Sequence, residues 1–164
     1  MSLGHVVETR ENYAQRVNGQ VFSVVVDAID PTGADDNFFY LKNDSVVPIE
    51  VIGYDLISTV AGNVKMEVCT GTAVGVTAIT PVNLNRTSGK APSVTVGTGV
   101  DITGLTDGGI INFFSLVALT SNHWPEFKHS IVTLGLGDAI LLNWSAATGI
   151  ISGNIRFMVT SEKD

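Results

Sequence analysis

"GLGDAILLNWSAATGIISGNIRFMV" runs from Gly135 to Val159, and its reading decides the fold. A glycine loop that cradles phosphate needs a helix behind it, so that backbone N–H groups face the anion. Here Gly135-Leu136-Gly137-Asp138 is followed by the apolar run Ala139 to Trp144 and a turn at Ala147-Thr148-Gly149. Beyond that turn Ile151, Gly153, Ile155, Phe157 and Val159 alternate with Ile150, Ser152, Asn154, Arg156 and Met158. A period of two describes a strand with one apolar face. The stretch therefore predicts a turn leading into a final β-hairpin, and not a phosphate site.

Outward from this hairpin the same grammar repeats. Short apolar stretches separated by Gly, Pro, Asn and Asp turns predict strands at "QVFSVVVDA", "FFYLKN", "VPIEVIGYDLI", "AGNVKMEVCTG", "ITPVNLNR", "SVTVGTGVDITG", "GGIINFFSLVAL" and "EFKHSIVTL". In "SVTVGTGVDITG" the alternation places Val94, Val96, Val100 and Ile102 on one face of a single strand. Nine or ten strands without helical connections predict an all-β fold, an antiparallel β-sandwich of jelly-roll type. Residues 1–18 read as an extended polar N-terminal arm carrying Glu8, Arg10, Glu11, Tyr13 and Arg16, and residues 19–164 as one sandwich domain.

Composition narrows the function. The chain has 164 residues, a net charge of −7 and only 15% charged side chains, so neither nucleic acid nor an anionic membrane is an expected partner. "MSLGHVVETRENY" lacks the pattern of a secretory leader, and "GGIINFFSLVAL" is too short to span a bilayer. The lone Cys69 excludes an internal disulfide and a cysteine-based zinc cluster.

Candidate chemistry is sparse. His123 and His129 bracket "HWPEFKH", where Glu126 is the one further metal-ligand type. "DPTGADDN" (Asp30 to Asn37) has the Asp, Pro and Gly of tight turns without calcium-loop spacing. No Gly-x-Ser-x-Gly elbow is present, and nothing in the spacing of Asp101 and Asp107 sets them up as a catalytic pair. The expectation is a protein without catalytic residues, metal or cofactor.

The segment Ile110–Leu119 is different in kind. Strand geometry places Ile110, Phe114 and Leu116 on one side, and Ile111, Phe113, Val117 and Leu119 on the other. Both faces then need cover. A second subunit supplies it most directly, so Ile111, Phe113, Val117 and Leu119 are the candidate oligomer interface.

Three stretches, "DNFFYLKNDSVVPIEVIGYDL" (36–56), "TPVNLNRTSGKAPSVTVGTGVDITG" (80–104) and "HWPEFKHSIVTLGLGDAILLNWSAATGIISGNIRFMV" (123–159), resemble a loose group of tailed-bacteriophage virion proteins. The resemblance implies a trimeric jelly roll of the virion, made in a host cytoplasm. It implies a head decoration (cement) protein bound to the major capsid protein. The arm is not part of the resemblance, but such a protein needs one, and Glu8, Arg10, Glu11, Tyr13 and Arg16 are the candidate capsid contact. The alternative it implies is a fibre or spike domain. That alternative needs a glycan platform, for which His123, Trp124 and Phe127 are the candidates, assisted by Tyr40 or Tyr54.

Overall fold

The computed structural model describes residues 20–123 and 132–160. The expected arm therefore lies outside the described residues, as do Trp124 and Phe127. The described chain forms twelve strands: β1 (Val21–Ile29), β2 (Asp36–Asn43), β3 (Ile49–Ser58), β4 (Gly62–Val74), β5 (Thr77–Ala78), β6 (Val82–Asn83), β7 (Val94–Thr98), β8 (Thr103–Leu116), β9 (Asn122–His123), β10 (Val132–Leu134), β11 (Ala139–Trp144) and β12 (Ile151–Val159).

They build two antiparallel sheets. One has the order β10-β3-β12-β1-β6, with β9 also pairing β3, and the other is β5-β7-β2-β11-β4-β8. Eight of these strands carry the plan: β1, β12, β3 and β10 in one sheet, and β2, β11, β4 and β8 in the other. Among those eight, the chain changes sheet at every step but one, β4 to β8, which are neighbours in the same sheet. This is the jelly roll, a double-sheet Greek-key arrangement, and it bears out the expected fold class. The short strands β5, β6 and β7 lie on the connection between β4 and β8 and extend the two sheets at their far edges.

The core follows from the alternation. Ile151, Ile155 and Phe157 of β12 face Ile140, Leu142 and Trp144 of β11 across the sandwich, all fully buried. Phe22 stacks on Phe157 with centroids 5.5 Å apart, and Tyr54 on Phe114 at 4.0 Å. Gly62 is required beside the Trp144 ring, since a Cβ there would sit 2.5 Å from the indole.

"GLGD" is turn chemistry, as expected. Asp138 accepts from the Gly135 N–H at 2.9 Å, and Gly137 holds φ +84°, a conformation that suits glycine. The Gly137 N–H then donates to Asn43 O at 2.8 Å, which ties the turn to the end of β2.

Two expectations are corrected. "SVTVGTGVDITG" is not one strand: β7 stops at Thr98 and β8 begins at Thr103. Gly99 at that break lies so close to Gly75 O that a Cβ would meet it at 2.4 Å. Val96 and Ile102 are buried, but Val100 projects from the bend. The second correction concerns Ile110, which does not share the inward face with Phe114 and Leu116. A β-bulge intervenes, because Asn112 pairs Met66 while Ile110 pairs Glu67. The extra residue, Ile111, shifts the alternation and turns Ile110 outward.

Candidate functional site: the apolar edge of the second sheet

β8 is the edge strand of its sheet, fourteen residues long, with β4 on one side. Phe114 and Leu116 point inward and are buried, with Phe114 stacked on Tyr54. Outward stand Ile110, Ile111 and Phe113, which are 55%, 40% and 54% exposed, followed by Val117 at 62% and Leu119 at 72%. Exposed large apolar side chains are ordinary when scattered, but five within ten residues form a patch.

The contrast with β11 gives the patch its meaning. AILLNW is also apolar on both faces, and all six of its residues are buried. Its inner face enters the core. Its outer face, Ala139 and Leu141, is covered with Tyr40, Cys69 and Ile102 by Ala73 at the end of β4, Val76 just after it and Leu105 at the start of β8. No corresponding cover lies over β8 among the described residues.

Charge is confined to the border of the patch. Lys65 stands opposite Phe113 and Glu67 opposite Ile110 on β4, while residues 108–122 contain no Asp, Glu, Lys or Arg. Lys65 is anchored to Asp35 at 2.6 Å, and this hydrogen bond raises its pKa. The Glu67 carboxyl is also raised, first by burial and then by Asp107.

Beyond Leu116 the chain crosses to the other sheet as a strap. Leu119 donates its N–H to Ser58 O at 2.8 Å, and Ala118 bridges Ser58 in parallel. Ser121 Oγ donates to the Asp55 carboxylate, and His123 pairs Asp55 in the β3–β9 ladder. Leu119 takes φ +57°, uncommon for a branched side chain, and it remains exposed. Ser115, Val117, Thr120, Ser121 and Asn122 line a groove of 270 Å³ along this strap.

The expected interface residues Ile111, Phe113, Val117 and Leu119 therefore share one exposed edge, and Ile110 joins them through a bulge that alternation alone does not reveal. Of the glycan-platform residues, His123 lies in β9. Tyr40 and Tyr54 are 3% and 2% exposed, so neither offers a ring face to a sugar, which corrects that expectation. Burial pushes the Tyr54 hydroxyl up to about 12. No group of three or more His, Cys, Asp or Glu side chains arranged for a metal occurs among the described residues.

Cys69 is buried within the outer cluster, and burial, followed by Asp107 and Glu67, pushes its thiol up to about 11. Alkylation of the native protein at pH 8 is accordingly expected to be slow and to accelerate on unfolding. Between the ordinary thiol range and pH 11 the folded state holds the proton more tightly than the unfolded state. Stability should therefore fall as pH rises through that window. Rapid native-state labelling at pH 8 would contradict this placement.

In comparisons with known proteins, no family model, no curated protein and no solved structure matches this chain.

Proposed function

We propose that this chain is a non-enzymatic structural protein of a virion, a trimeric head decoration (cement) protein that binds the major capsid protein and stabilises the shell. The observation that carries the reading is the apolar row on β8, which no described residue covers and which suits assembly. The resemblance of residues 36–56, 80–104 and 123–159 to phage virion proteins supplies the setting, and the jelly-roll plan is compatible with it. Folds host many functions, so the row and not the fold bears the weight.

In this reading the row joins copies into the trimer, and the trimer as a unit seals neighbouring capsid subunits. Burial at about 25 cal/mol per Å² of apolar surface, repeated over many sites, outweighs an association cost that is large for any single contact. Heads assembled without the protein are expected to release their contents at a lower temperature than decorated heads, with the difference restored by adding it back. Equal heat tolerance of bare and decorated heads, or no binding to heads, would defeat the capsid role.

A further inference from the structure

The same strand raises a hazard that the structure answers. "IINFFSL" (Ile110–Leu116) is apolar, uncharged and free of proline, and it occupies an edge; such segments template strand pairing between copies without limit. β8 has no Lys, Arg or Pro, the usual guards of an exposed edge. Its protection is of another kind. The Phe113 N–H donates to Asn112 Oδ1 at 2.9 Å, and the Gly109 N–H donates to Asp107 Oδ1 at 2.7 Å. The Ser115 carbonyl accepts from Asn122 Nδ2 at 2.7 Å.

Phe113 and Ser115, two residues apart, present their backbone groups to the same side of the strand. With β4 on one flank only, a strand added by a second copy needs groups of this kind. Side chains already occupy two of them, the Phe113 N–H and the Ser115 carbonyl. Gly109 lies at a bulge with φ +115°, which distorts the edge further. Asn112 holds this position at a cost, because its buried Nδ2 has no acceptor.

We infer that Asp107, Asn112 and Asn122 close the free edge of β8 against strand addition by a second copy of this chain. Another copy then reaches the edge only through the side chains of Ile110, Ile111 and Phe113, and association stays finite. This rests on the reading of the β8 row as an assembly surface.

The test compares D107A/N112V with D107N/N112V and the unaltered chain. Both double variants lose the Asp107 charge, but only D107A/N112V also loses the acceptor for Gly109. N112V removes the Phe113 acceptor and the orphaned Nδ2 together, so it does not burden the fold. Incubated at equal concentration, D107A/N112V is expected to form open-ended, thioflavin-positive species roughly tenfold faster than D107N/N112V. The unaltered chain keeps a fixed mass.

Equal growth of the two double variants would show that losing the Gly109 acceptor opens nothing, and would overturn the closure assigned to Asp107. So would a fixed mass for D107A/N112V. If that variant fails to fold, amide exchange on the unaltered chain decides. Gly109 and Phe113 are expected to exchange roughly a hundredfold more slowly than in an open peptide, and unprotected amides at both would overturn the closure. An F113D variant that keeps the native mass would instead count against the assembly surface itself.

Discussion

Replacing Phe113 by Asp is expected to reduce the protein from an oligomer to its 17.3 kDa subunit without unfolding it. Phe113 lies on the outer face of an edge strand, 54% exposed in the isolated subunit, so a carboxylate there remains hydrated when the subunit is alone. In the assembled state the same carboxylate would be taken from water beside Ile110 and Ile111, and Lys65, which stands opposite on β4, is already engaged by Asp35. Burying an unpaired charge costs several kcal/mol, and each 1.4 kcal/mol is about a factor of ten in association. The association constant should therefore fall by roughly a thousandfold or more. Val46→Asp, at a site 72% exposed and outside the row, is the control and should leave the mass unchanged. Light scattering reads the mass, and circular dichroism confirms that both variants stay folded. An unchanged mass for Phe113→Asp would remove the row from the interface.

The second large effect is expected inside the sandwich. Trp144 is fully buried at the end of β11, with its ring against Gly62 and its Nε1–H donating to Thr148 O at 3.1 Å. Trp144→Ala loses the packing of the whole indole and leaves a cavity that β-sheet backbones close poorly. Substitutions of this kind cost about 3–5 kcal/mol. For a domain of this size that corresponds to a fall of roughly 10 °C or more in the thermal midpoint. The loss should persist in the Phe113→Asp background, because the two side chains act at different places. A midpoint within about 2 °C of the unaltered protein would show that Trp144 is not part of the core.

The two residues mark what was legible in the sequence. The final hairpin, the "GLGD" turn and the sandwich class follow from alternation and turn chemistry, which are local. Trp144 reads as core because it ends an apolar run on a strand. The dual apolarity of β8 was also legible, since alternation alone shows that no single face accounts for it. Three things were not. The break at Gly99 comes from a close approach to Gly75, which is distant in sequence. The outward turn of Ile110 depends on a bulge set by the register with Met66 and Glu67 on β4. The burial of Tyr40 beneath Ala73 and Val76 depends on how the end of β4 and the residues just after it fold back. Strand β11 shows why the row could not be assigned from composition: it carries the same two-sided pattern, yet side chains of this same chain cover it.

The central claim is that β8 is covered by other copies of the chain. It is tested most directly by the molar mass of the unaltered protein in solution, measured by light scattering over a hundredfold range of concentration. The account predicts a constant mass of three times the 17.3 kDa subunit. A mass of one subunit throughout that range would contradict it.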